Sequence, residues 1–151
     1  MTFPEPGELV RLAYRDLEIV AIGDPEQARL LGAIDALPRP WNPSSCGNPR
    51  LQAQLGEWLH QVAVWLNRDL CWQPADMVPG CWRQHPALVR ELALLADRRR
   101  AAEAAVTSDS MEEWHRSTLP AFLARVRADA AGCVTGHREW PGRARHARQS
   151  T

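Results

Sequence analysis

Residues 80–85, GCWRQH, and residues 132–137, GCVTGH, share one frame: Gly-Cys, three residues, then His. Cys thiolate and His nitrogen are the ligands of tetrahedral structural zinc. A Cys and a His four residues apart reach the same side of a helical turn, so each pair can present two ligands to one ion. Cys81 with His85 and Cys133 with His137 therefore make a Cys2His2 set, drawn from two distant stretches of chain. A bound structural zinc would contribute about 10 kcal/mol or more to folding, enough to clamp the end of the chain onto its middle.

The frame is loose, and other readings stay open. Cys71 or His115 could replace a member of the set. The same residues also read without metal: Cys81 as a small core side chain, His85 as an N-cap-like residue before Pro86, and Cys133 and His137 as the end of a helix. Pairing Cys81 or Cys133 with His115 would give a nucleophile and a base. No carboxylate stands in sequence to orient such a pair. The chain also lacks a Gly-rich phosphate loop, an HExxH motif and a paired-carboxylate motif, so the expectation is a protein that is not an enzyme.

The elements that must position these residues read as helices. Residues 8–22 carry Val10, Leu12, Ala13, Leu17, Ile19 and Val20 at helix-compatible spacing. In residues 24–38, Asp24 is the predicted N-cap and Pro25 the first helical residue, with Ala28, Leu31, Ile34 and Leu37 as the apolar face. Residues 39–49 read as a loop containing Cys46. Residues 50–72 give the strongest helix, with Leu51, Leu55, Trp58, Leu59, Val62, Trp65 and Leu66 forming one stripe. Two prolines break the chain over 73–80.

The helix over 85–106 starts at Pro86, which the first turn accepts. It turns Leu88, Leu92 and Leu95 inward and Arg98, Arg99 and Arg100 to water. Ser110 and Glu113 have capping-box spacing. The helix over 111–132 carries Trp114, Leu119, Phe122, Leu123 and Val126, kinks at Pro120 and stops at Gly132. The prediction is an all-α, irregular four- or five-helix bundle with a Trp-rich core. Residues 1–137 form one helical domain and residues 138–151 a basic tail.

Composition narrows the function classes. The chain has 151 residues, 45% apolar and 24% charged, with zero formal net charge, so no global field draws it to nucleic acid or an anionic membrane. All 18 basic residues are Arg. The start of the chain lacks the basic and apolar regions of a signal peptide, and no apolar run is long enough to span a membrane. These features predict a cytoplasmic protein with reduced thiols. Seven Trp against two Phe and one Tyr supply large, amphipathic side chains suited to core seams and binding surfaces. Trp58 and Trp65, seven residues apart on one helical face, are the predicted anchors of an interface with a protein partner or a second copy, with Trp82 and Trp114 as alternatives. The competing expectation is nucleic-acid binding by the tail, with Arg143, Arg145 and Arg148 on phosphates and Trp140 stacked on a base.

Residues 55–148 carry a pattern: a Trp-Leu helix with Trp65 and Trp72, then Cys81-Trp82-x-x-His85-Pro86 and a leucine helix with Leu92. A helix with Trp114-His115 and Leu119-Pro120 follows, ending near Cys133, and the segment closes on HREWPGRARHAR. This pattern resembles a group of small actinomycete proteins, a domain-of-unknown-function family. The resemblance implies an all-helical cytoplasmic protein, often encoded on conjugative plasmids, integrated elements or phages, and brings no catalytic residues. In the wider group the first Cys stands nearer the position of Cys71 than of Cys81. The resulting expectation is a non-enzymatic adaptor or interaction protein of a mobile element, with structural zinc as its stabiliser; the alternative is a zinc-stabilised nucleic-acid-binding accessory protein.

Overall fold

The computed structural model describes residues 1–133 and 136–139, all helix, turn and loop, with no strand among them. Six α-helices follow in order: α1 (Glu8–Ile22), α2 (Pro25–Leu31), α3 (Pro49–Asp69), α4 (Pro86–Ala104), α5 (Asp109–Glu113) and α6 (Leu119–Asp129). The all-α expectation holds. The tail residues Trp140, Arg143, Arg145 and Arg148 lie outside the described residues.

α3 and α4 form the centre of the fold because their apolar stripes face each other. Trp58, Leu59, Val62 and Leu66 of α3 are 1% exposed or less, as are Leu88 and Leu92 of α4. α4 then packs against α5 and α6 on its other side, and α1 packs against α3. Trp114, Phe122 and Val126 are buried where α4 meets the last helices.

Three of the buried indoles find a backbone acceptor, as a polar atom in a dry core requires. Trp114 Nε1 donates to the Leu95 carbonyl at 3.1 Å. Trp58 Nε1 donates to the Pro4 carbonyl at 2.9 Å and Trp65 Nε1 to the Met1 carbonyl at 3.3 Å. The extended N-terminal segment is thereby tied along α3, and Phe3 sits edge-on to both rings, with centroids 6.3 Å from Trp58 and 5.2 Å from Trp65. This corrects the expectation for these two residues. Trp58 and Trp65 are 1% and 4% exposed; they anchor the interior and offer no surface to a partner.

Several local expectations also change. α2 stops at Leu31, because Gly32 adopts φ +88°, a conformation that side-chain-bearing residues rarely take. The chain then makes a separate 3₁₀ turn at Ile34–Ala36, and none of Ala28, Leu31, Ile34 and Leu37 is buried. Asn48, unremarked in the sequence, caps α3, its Oδ1 accepting from Arg50 N at 2.9 Å and Leu51 N at 3.3 Å. α5 begins at Asp109, so Ser110 and Glu113 fall inside it and form no capping box. α6 ends at Asp129, three residues before Gly132.

The proline break is real but takes a specific form. Pro120 has no N–H to give the preceding turn, and the backbone opens into a π turn over Trp114–Thr118, with Leu119 N bonded to Trp114 O. Pro120 then lies in the first turn of α6, where its missing donor is harmless.

The arginines of α4 divide. Arg98 is exposed, as expected, but Arg99 and Arg100 are not turned freely to water. The Arg99 guanidinium lies 4.8 Å from the Trp114 ring, 5.1 Å from Trp65 and 5.8 Å from Phe3, and its side chain is only 13% exposed. Cation–π attraction and the Glu103 carboxylate, 2.7 Å away, replace the water it loses. A basic face built from all three residues is therefore not available.

Position within the seam sets the cost of truncation on α4. Leu92 is fully buried and Leu94 is 46% exposed. Leu92→Ala should lower unfolding free energy by about 2–5 kcal/mol, whereas Leu94→Ala should stay within about 0.5 kcal/mol. Urea unfolding followed by far-UV circular dichroism measures both.

Candidate metal centre

Cys81 and His85 flank a 3₁₀ turn at Trp82–Gln84, and His85 holds the N-cap position of α4 because Pro86 opens that helix. The His85 side chain makes no capping bond and is buried, 1% exposed. Cys133 closes a 3₁₀ turn at Ala131–Cys133 just beyond α6, and His137 lies in chain outside any helix.

The two frames meet. One ligand atom from each of Cys81, His85, Cys133 and His137 lies within 4.8 Å of every other, so the four side chains could hold a metal ion. The Cys81 and Cys133 Sγ atoms are 3.5 and 3.4 Å from the same His85 atom, Nε2. The imidazoles of His85 and His137 are 4.7 Å apart, tilted by 56°. The backbone N–H of Arg138 donates to Cys133 Sγ at 3.4 Å. Burial, and after it the neighbouring Cys133 thiol, pushes the Cys81 thiol above its ordinary range.

Neither alternative ligand joins the group. Cys71 donates to the Asp76 carbonyl at 3.3 Å, and burial, then the Asp76 charge, pushes its thiol up to about 11. His115 lies beside Arg99, Nε2 3.2 Å from its Nη1, and edge-on to Trp114. Burial and then the Arg99 charge lower its affinity for a proton. A cysteine–His115 nucleophilic pair is thus not assembled, since both cluster sulfurs face His85.

The loop that delivers Cys81 is pinned on three sides, none of them legible in the sequence. Asn67 of α3 exchanges two bonds with Val78, accepting from its N–H at 2.7 Å and donating to its carbonyl at 2.9 Å. Arg83 donates to the Gly56 carbonyl at 2.9 Å and lies 5.2 Å from the Trp82 ring. Asp76, buried in the 3₁₀ turn Pro74–Asp76, takes two bonds on one carboxylate oxygen from Arg127 of α6, with Nε at 3.0 Å. This last pair joins the loop leading to Cys81 to the helix leading to Cys133. The partners are 51 residues apart, so no local pattern could have announced them.

Asp76→Asn removes a charge-assisted pair whose carboxylate is buried and whose guanidinium is half-exposed. It should cost about 1–2 kcal/mol of stability. Arg127→Gln should cost a similar amount. The double variant should cost clearly less than the sum of the two, because each change removes the same interaction. Urea midpoints of the three proteins measure this coupling.

Comparison of the chain with protein-family models, with curated proteins and with solved structures gives no match. The reading of the site rests on its own side chains.

Proposed function

We propose that Cys81, His85, Cys133 and His137 hold one structural zinc ion, and that the chain works as a zinc-clamped, non-catalytic helical interaction module. The observation that carries the metal reading is the position of the two sulfurs about one nitrogen. A ring nitrogen has a single lone pair or a single proton, so it cannot bond well to two thiols at once. Two vertices of a tetrahedron are, by contrast, naturally equidistant from a third. With Zn–S of about 2.3 Å and Zn–N of about 2.05 Å, the S···N edge of such a site is about 3.5–3.6 Å. The two S···N separations in the structure are 3.5 and 3.4 Å.

His137 supplies a second support. Its Nδ1 is buried and has no hydrogen-bond partner, a costly state for a ring nitrogen unless a cation meets it. The other nitrogen, Nε2, lies 3.9 Å from the Glu139 carboxylate, the kind of outer partner that orients metal-bound imidazoles. Zinc suits this mixture of soft thiolate and imidazole donors. Four protein ligands leave no position for substrate, which is the mark of a structural site rather than a hydrolytic one.

The interaction role rests on surface chemistry. Trp72, at the exit of α3, is 93% exposed, and Ile22 and Leu30, near the α1–α2 turn, are 87% and 89% exposed. Indole is the side chain most often found at the centre of protein interfaces. The resemblance over residues 55–148 adds the setting, an accessory protein of a mobile element.

The purified chain should contain one equivalent of zinc by elemental analysis. Cys133→Ser should abolish retention, and a strong chelator should lower the thermal midpoint of the wild-type chain by ten degrees or more. Cobalt in place of zinc should give the intense visible absorption of tetrahedral thiolate coordination. A chain that binds neither ion, with the same midpoint with and without chelator, overturns the metal reading.

A further inference from the structure

A second site, away from the Cys81–Cys133 group, lies between α1 and the end of α4. α1, the turn at Ile34–Ala36, the loop before α3 and the last turns of α4 enclose a cavity of about 420 Å³. Such a volume falls in the range of small-molecule sites, roughly 300–1,000 Å³. One wall is apolar, made by Leu17, Ala21, Ile34 and Trp41, while Tyr14, Arg39 and Arg100 also line the space.

The guanidiniums there are not used in ion pairs: none among the described residues involves Arg39 or Arg100. The Nε atoms of both are buried without a hydrogen-bond partner, while the Tyr14 hydroxyl is already engaged by Asp97 and Arg100. Tyr14 is only 5% exposed, and the Arg100 guanidinium is stacked 3.5 Å over its ring. Burial, followed by the nearby Asp97 charge, raises the phenol further above its ordinary range, so it remains a donor. The acidic residues on the lining, Glu18 and Asp35, are exposed, and water screens them more than it does the partly buried guanidiniums.

Two partly buried guanidiniums, each with an unbonded Nε and no ion-pair partner among the described residues, beside an aromatic and aliphatic wall, match one ligand chemistry. Guanidinium pairs with planar carboxylate through parallel N–H bonds, and the wall takes an apolar body. We propose that this cavity binds a small organic carboxylate whose acid group sits between Arg39 and Arg100 and whose ring or short aliphatic body lies against Trp41 and Ile34. The site is independent of the zinc reading, since none of its residues touches the metal ligands.

The test is a calorimetric titration of the full chain with three probes: phenylacetate, its neutral amide phenylacetamide, and acetate. Phenylacetate should bind saturably, at least tenfold more tightly than either of the others, because one lacks the charge and the other the body. Arg39→Gln should weaken phenylacetate at least tenfold while leaving the circular dichroism spectrum and thermal midpoint near wild type. Trp41→Ala should weaken it through the wall rather than the charge, leaving the preference over the amide in place. Equal affinity for acid and amide overturns the proposal. So does the absence of binding by any probe at millimolar concentration, and so does phenylacetate binding that survives Arg39→Gln and Arg100→Gln alike.

Discussion

Leu88, Leu92 and Leu95 leave α4 no choice but to lie between α3 and the last two helices. The seam they fill decides where the rest of the chain can go. α4 and the α5–α6 arm run in opposite directions, as their cross-contacts show: Glu91 meets Arg125, while Arg99, two turns later, meets His115. Antiparallel packing of this kind returns the end of α6 to the beginning of α4. His85 sits at that beginning and Cys133 just past that end, so helix packing alone brings the two Gly-Cys frames together. The Asp76–Arg127 pair and the Asn67–Val78 exchange then refine the approach from the remaining side.

How much of this was readable in the residues depends on the range of the interaction. The helices with a continuous stripe, α1, α3 and α4, were legible with boundaries close to those observed, because burial of one face is a local periodic signal. The apolar spacing of residues 24–38 misled for the same reason. A periodic face predicts burial only if something covers it, and here Gly32 ends the helix before its stripe is complete. The group of Cys81, His85, Cys133 and His137 was legible because Cys-x3-His is itself a local pattern occurring twice. Its supports were not, since Asp76–Arg127 and Arg83–Gly56 join residues 51 and 27 positions apart. Trp58 and Trp65 were placed correctly on one face, but spacing cannot say whether a face looks at solvent or at a neighbouring segment. The N-terminal strand of chain with Phe3 covers them.

All 18 basic residues are arginine, and the structure gives that choice a physical use. The guanidiniums of Arg99 and Arg100 both lie over aromatic rings, as does that of Arg83 over Trp82. A planar, weakly hydrated guanidinium can be slid between rings at small desolvation cost, where an ammonium would hold its water. In a chain this rich in indole, arginine functions as a polar packing residue. That is why a count of basic side chains overstates the charge the surface of α4 presents.

The π turn at Trp114–Thr118 has a consequence for the length of the chain. A turn of this type holds one residue more than the regular helix around it, which is the geometric trace of a single inserted position. Each residue of helix advances the azimuth by about 100°. Removing one position here would close the turn into regular helix and leave the phase of α6 nearly unchanged. Removing one inside α6 itself would instead rotate all that follows and swing the Cys133 arm to another flank. The arm thus has one place where its length can change without altering the direction its side chains take.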